Sequence, residues 1–260
     1  MEQTSKLKSQ FHLFSQRRFL PFFITQFLGA LNDNLFKNAL LVIVVSSAVA
    51  GSDASTNFTT NFAVGLFILP FFLFSTTAGQ LADTYDKARL MRKVKFAEIF
   101  IMLAGSYALI TLNLDFMLII LFLLGTQSAF FGPLKYSLIP QHLSNEELLA
   151  GNAQVGMGTF VSILLGTLIG GWMVTLDNGI TMLCGLTVTV ALIGWLSSRE
   201  IPPAPSENPG KKLRLNPITE TSVNFGLARE NRTVFYSIMA ISWFWLYGGC
   251  FLTQVPNYTV

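Results

Sequence analysis

Charge is what this 260-residue sequence has least of. Asp, Glu, Lys and Arg together make up 12% of it, about half of what a soluble domain carries, whereas 52% is hydrophobic and the mean hydropathy is +0.53. That balance excludes a water-soluble enzyme core, and the missing polar surface has to be matched by surface that faces lipid. Histidine and cysteine are also scarce, with two of each. Cys184 and Cys250 lie in apolar stretches, where a thiol behaves as a small hydrophobe, and no CxxC or His/Cys cluster of metal-ligand spacing exists. No metal or other cofactor is implied. The one Gly-Lys pair, Gly210–Lys211, lacks the upstream glycine of a phosphate loop. A net charge of +3, with 24 Phe against four Trp and six Tyr, gives no nucleic-acid surface. His142 followed by Glu146 and Glu147 is better read through Ser144-x-x-Glu147, a capping box that opens a helix. Asn57–Phe58–Thr59 has the form of a glycosylation sequon, a weak pattern.

Long apolar runs are what the sequence has instead. Stretches of about 20 residues, the length that crosses a bilayer as helix, fall near 19–48, 60–82, 94–113, 116–138, 150–175, 178–198 and 233–255. All but two of the 17 basic residues sit in three places: residues 1–18, including Lys6 and Lys8; the flanks of the second connection, with Lys87, Arg89, Arg92, Lys93 and Lys95; and the stretch from Arg199 to Arg232, including Lys211, Lys212 and Arg214. The intervening connections carry none, so the positive-inside rule predicts a cytoplasmic N-terminus. This gives an all-α polytopic membrane bundle: six helices over 1–198, a Pro-rich basic cytoplasmic linker over 199–232, and a seventh helix over 233–260 that begins a second half. The chain reads as a fragment whose C-terminal half is missing.

The two remaining cations lie inside spans. Asp33 and Lys37 are four residues apart on one face of the first span, where the expectation is that they pair along the helix. Gln26, Gly29, Asp33 and Lys37 follow at steps of three, four and four, and Asn34 and Asn38 widen the polar stripe. Such a stripe can be interhelical glue or the lining of a substrate path. Ionisable groups in it favour the path. Lys135, beside Gly132 and Pro133 at the end of the fourth span, either snorkels to the headgroups or turns inward, with Glu98 as a partner. In the fifth span Gly166-xxx-Gly170 allows close backbone approach.

The turn Gly79–Gln80–Leu81–Ala82–Asp83–Thr84–Tyr85–Asp86–Lys87–Ala88–Arg89 resembles the G-x-L-A-D-x-x-G-R-[KR] signature of the major facilitator superfamily, with Asp86 where that family usually has Gly and Ala88 where a cation is common. The resemblance implies a facilitator fold and a cytoplasmic latch formed by Gly79, Asp83, Lys87 and Arg89. Gln26–Phe27–Leu28–Gly29–Ala30–Leu31–Asn32–Asp33–Asn34, Gly132–Pro133–Leu134–Lys135–Tyr136 and Leu149–Ala150–Gly151–Asn152 look like bacterial lysophospholipid transporters, in particular the form fused to a 2-acylglycerophosphoethanolamine acyltransferase and acyl-carrier-protein synthetase. That implies alternating-access movement of lyso-phosphatidylethanolamine across the bacterial inner membrane for reacylation. Substrate-path residues would be Gln26, Asp33, Asn34, Lys37 and Lys135, with Gln254 and Tyr258 as the seventh span's polar groups and a fused or associated acyltransferase as partner. Proton coupling through Asp33 and simple charge complementarity both remain open. The alternatives are a facilitator for a small polar solute or drug, and the membrane module of a phospholipid acyltransferase. No His-x4-Asp motif is present, so this segment itself is expected not to be an enzyme.

Overall fold

The computed structural model describes residues 10–48, 53–206, 208, 210 and 217–258. Lys6, Lys8, Lys211, Lys212 and Arg214 lie outside the described residues, as do the side chains of Asn57, Cys250, Gln254 and Tyr258. Among the described residues all regular structure is helical: a 3₁₀ turn at Gln10–Ser15, then α1 (Leu20–Ala48), α2 (Asp53–Thr84), α3 (Lys87–Ile110), α4 (Leu114–His142), α5 (Leu148–Val174), α6 (Gly179–Arg199), α7 (Pro217–Glu230) and α8 (Arg232–Tyr258). They form two compact units, Met1–Lys211 and Lys212–Val260.

Helix ends follow local chemistry. Asp86 caps α3 by accepting from the Arg89 amide at 2.8 Å, and Asn113 caps α4 by accepting from the Phe116 amide at 2.9 Å. The intervening turn is tight enough to put Leu112 at φ 49°, the left-handed region that non-glycine residues avoid. Ser144 and Glu147 make only one half of the expected capping box. The Glu147 carboxylate reaches back to the Ser144 amide at 3.0 Å, but the Ser144 hydroxyl donates to that carboxylate and the helix opens at Leu148. Arg18 is the reason: it holds Glu147 by two bonds of 2.7 and 2.9 Å and donates to the His142 carbonyl at 2.7 Å.

Among the described residues five helices are long and apolar enough to cross a membrane: α1, α2, α4, α5 and α6. α3 carries Lys95 and Glu98 within its length but packs between α4 and α6 as part of the same bundle. Principal pairings are α1 with α5 and α6, α4 with α2 and α3, and α3 with α6. Exchanging α1–α3 for α4–α6 maps this set onto itself. Helices three apart in a bundle of alternating direction run oppositely, so the six helices are an inverted pair of three-helix repeats.

The α1–α5 seam is close because of glycine. A Cβ on Gly166 would stand 2.8 Å from the Leu31 carbonyl oxygen, and one on Gly170 2.5 Å from that of Leu35, as the GxxxG spacing predicted. Outward faces are apolar, with Phe72 85% exposed, as suits lipid. Inside, two apolar clusters occupy opposite ends of the bundle. One gathers Phe36, Leu40, Met102, Leu109, Leu121 and Leu183, and the other gathers Phe19, Phe22, Met91, Leu138 and Val155. Between them, on the middle turns of α1, α3 and α4, lies a polar layer.

The stretch expected to be linker throughout 199–232 is divided. Its first residues are fixed to the six-helix unit, and Pro217–Glu230 is helix α7. The Lys87 amide donates to the Ala204 carbonyl at 2.9 Å, the Ala204 amide to the Asp86 carboxylate at 3.2 Å, and the Asn208 amide to the Asp83 carbonyl at 3.1 Å. Arg92 adds a 2.8 Å bond to the Ile201 carbonyl. A run of prolines has few amides to satisfy, so it lies flat as a strap across the helix ends. In the second unit, α7 and α8 meet through Phe225 and Phe235, whose ring centroids are 5.7 Å apart.

Candidate functional site in the mid-bundle polar layer

α1 supplies most of the layer because its polar stripe faces inward. Gln26, Asn32, Asp33 and Asn34 are all buried, and Lys37 is half-buried. Asp33 and Lys37 do not pair, contrary to their spacing. Lys37 donates to Asn34 Oδ1 at 2.8 Å with its ammonium 5.4 Å from the Phe67 ring centroid, and Asp33 Oδ2 accepts from the Ser128 hydroxyl on α4. One residue off the four-residue spacing, Asn34 offers Lys37 a neutral acceptor, and rotation of Asp33 toward α4 removes it from reach. Asn38 joins α1 to Thr167 of α5 at 3.1 Å.

Lys135 turns inward instead of snorkelling. Its ammonium donates to Thr159 Oγ1 of α5 at 2.9 Å and to Gln26 Oε1 at 3.2 Å, and the Thr159 hydroxyl also lies 3.2 Å from Gln26 Oε1. Glu98 is not its partner. That carboxylate is taken up by Lys95 on its own helix, by Asn32 at 3.0 Å and by Gln127 at 2.9 Å. Lys95, counted in the sequence among the loop cations, is 1% exposed inside the bundle. Lys95, Gln127, Ser128 and Thr159 are thus site residues that the sequence did not single out, while Glu98, expected as a partner of Lys135, and Asn32, expected only as part of the α1 motif, belong to the Lys95 centre. Lys95 and Glu98 at i, i+3 in an otherwise apolar span were the available signal.

Two atoms of this layer are buried without a hydrogen-bond partner and face opposite needs. Gln26 Nε2, a donor, lies beside the Lys135 contact, and Asp33 Oδ1, an acceptor, lies two turns along the same helix. Asn32 Oδ1 is a second such acceptor. Unpaired buried polar atoms are costly, and a site built to bind a polar ligand is where they are tolerated.

At the end of the bundle that carries the α2–α3 turn, Asp83, Lys87 and Arg89 do not form one charge cluster. Among the described residues Asp83 and Arg89 make no ion pair, Lys87 is buried and Arg89 is exposed. A Cβ on Gly79 would meet nothing within 4 Å. Asp86, the departure from the signature, does the local work of capping α3 and holding the strap.

Over this six-helix inverted repeat and its polar mid-layer, a family model described as Major Facilitator Superfamily matches residues 22–260. The chain belongs to the major facilitator superfamily. Among curated relatives of this facilitator, the lysophospholipid transporter LplT of Enterobacter sp. (strain 638) is 29% identical over 222 residues, covering 85% of this chain and 52% of the relative. LplT of Cronobacter sakazakii is 24% identical over 240 residues (90% and 55%), and that of Escherichia coli O1:K1 / APEC is 26% identical over 227 residues (85% and 53%). The chain spans about half the length of the curated relatives it matches. As a facilitator with apolar spanning helices, it is a multi-pass membrane protein.

Proposed function

We propose that this facilitator moves lysophospholipid, of the lyso-phosphatidylethanolamine type, from the outer to the inner leaflet of a bacterial inner membrane by alternating access, delivering it for reacylation. The observation that carries the reading is the pair of unpartnered atoms on α1. A zwitterionic headgroup presents phosphate oxygens and an ammonium. Gln26 Nε2 with Lys135 offers donors to the first, and Asp33 Oδ1 offers an acceptor to the second. Set two turns apart, about 10 Å along α1, they act as successive anchors of a headgroup path. Asn34 and Lys37 extend the path toward the far end of α1. The single acyl chain needs no polar site and stays against lipid-facing surface such as that around Phe72. Relatives named as lysophospholipid transporters support the substrate class.

In this reading the N-terminus is cytoplasmic, which places the Gly79–Arg89 turn and the strap on the side where the acyl acceptor is used. Asp83, Lys87 and Arg89 then serve as a latch toward the second half of the transporter, and a fused or associated acyltransferase is the consumer of the product.

The test is flipping of fluorescent lyso-phosphatidylethanolamine in proteoliposomes by the full-length protein that carries this chain. Asp33→Asn and Lys135→Ala should each fall to about a tenth of wild type or less, as expected for loss of a charge-assisted contact in a buried site. Wild type that does not flip this lipid overturns the substrate reading and directs the search to small polar solutes.

A further inference from the structure

The polar layer holds a second ionic centre that the proposed headgroup path leaves unused. Lys95 and Glu98 are 1% and 0% exposed and paired with each other. Both Glu98 oxygens are occupied, Oε1 by Asn32 of α1 and Oε2 by Lys95 and by Gln127 of α4. The ammonium fits because two helices have glycine there. A Cβ on Gly29 would stand 2.8 Å from Lys95 Nζ, and one on Gly194 of α6 3.1 Å from Lys95 Cε.

Both oxygens of this carboxylate are thus engaged by donors from inside the bundle. Its bonded partners Asn32 and Gln127 are the chain neighbours of Asp33 and of Ser128, the residue that bonds Asp33. Gln127, held through its amide nitrogen by Glu98, sets its oxygen 3.2 Å from the Ser128 hydroxyl. Ser128 has one proton and gives it to Asp33, because a carboxylate outbids an amide oxygen. Asn32, bonded to the other Glu98 oxygen, is the chain neighbour of Asp33.

We propose that the Lys95–Glu98 pair, through its net charge beside Asp33, sets the charge a headgroup meets, and with it the preference between zwitterionic and anionic lysolipids. This rests on the lysolipid reading given above. Each of the pair cancels the other, so the field along the path is left to Asp33, Lys37 and Lys135. Loss of Lys95 makes the interior one unit more negative and turns away an anionic headgroup. Loss of Glu98 does the reverse. One charge acting over about 10 Å in a medium of effective dielectric about 20 shifts such a preference by about tenfold.

The experiment compares fluorescent lyso-phosphatidylglycerol with lyso-phosphatidylethanolamine, measuring Vmax/KM for each in proteoliposomes of the full-length protein. Lys95→Met should lower the glycerol-to-ethanolamine ratio about tenfold, Glu98→Gln should raise it by a similar factor, and the double variant should return it to wild type. If Lys95→Met fails to fold, Lys95→Gln, which removes the same charge but keeps an amide donor for Glu98, should lower the ratio likewise. A pair that merely braces the bundle depresses both lipids alike, and a ratio unmoved in these variants overturns the proposal while leaving the lysolipid reading intact. Wild type that flips neither lipid overturns both.

Discussion

Single residues in this bundle are set by what stands opposite them on another helix. Asp33 and Lys37 show it best: the spacing favoured a pair, yet each found a better partner, Ser128 across the bundle and Asn34 one turn back. Glycines show it in the other direction. Gly170 and Gly171 are adjacent in sequence, but a Cβ on the first meets the Leu35 carbonyl oxygen at 2.5 Å and one on the second only Val42 Cγ2 at 3.6 Å. Backbone cannot yield as a side chain tip can. Gly170→Ala should therefore cost about 1–3 kcal/mol, read as a lowered Tm in detergent, whereas Gly171→Ala should leave Tm within error of wild type. Equal effects of the two would refute the close α1–α5 seam.

At the scale of elements, connections that looked like plain turns prove to be braced. Asp86 both caps α3 and receives the Ala204 amide of the strap. Asp86→Ala should cost about 0.5–2 kcal/mol through the lost cap, and Asp86→Gly, the residue usual in the family signature, only a few tenths. Both should speed amide exchange at Ala204, since neither keeps the carboxylate; unchanged exchange would mean that the strap is held without Asp86. The α4–α5 turn has its own brace. The Ser144 amide, opposed by burial and aided by the Ser144 hydroxyl and Arg18, holds the Glu147 carboxyl below its ordinary value of 4.5. A depressed carboxyl stabilises the fold above that ordinary value and loses its contribution as pH falls through the lower folded one. The Tm advantage of wild type over Glu147→Gln should be present at neutral pH, shrink below pH 4.5 and vanish when the carboxyl is protonated in both states. An advantage that persists in acid would show that Glu147 acts by shape alone.

For the molecule as a whole, the ruling facts are the apolar outside and the polar middle. Basic residues cluster at 1–18, at 87–95 and at 199–232, while the Asn113 and Asp177 turns have none. In a background lacking Cys184 and Cys250, a cysteine at Asp177 should react with a membrane-impermeant maleimide applied to whole cells, and one at Arg89 only after permeabilisation. The reverse pattern would invert the orientation and with it the direction proposed for transport.

Composition and periodicity were enough to establish spanning helices and a polar stripe on α1, because a bilayer demands about 20 apolar residues per crossing and penalises every exception; of the seven stretches expected, five are long and apolar enough to cross among the described residues. The facilitator signature was equally legible, since it is local. Which polar groups meet was not. Lys95 read as a loop cation, Lys135 as equally able to snorkel, and Pro202–Pro205 as loose linker. Their places depend on glycines at 29 and 194, on Thr159 of α5 and on Asp86 at the head of α3. Those neighbours lie tens of residues away in sequence. Only helix packing brings them within hydrogen-bond distance, where burial makes an unpaired polar atom costly enough to select one arrangement.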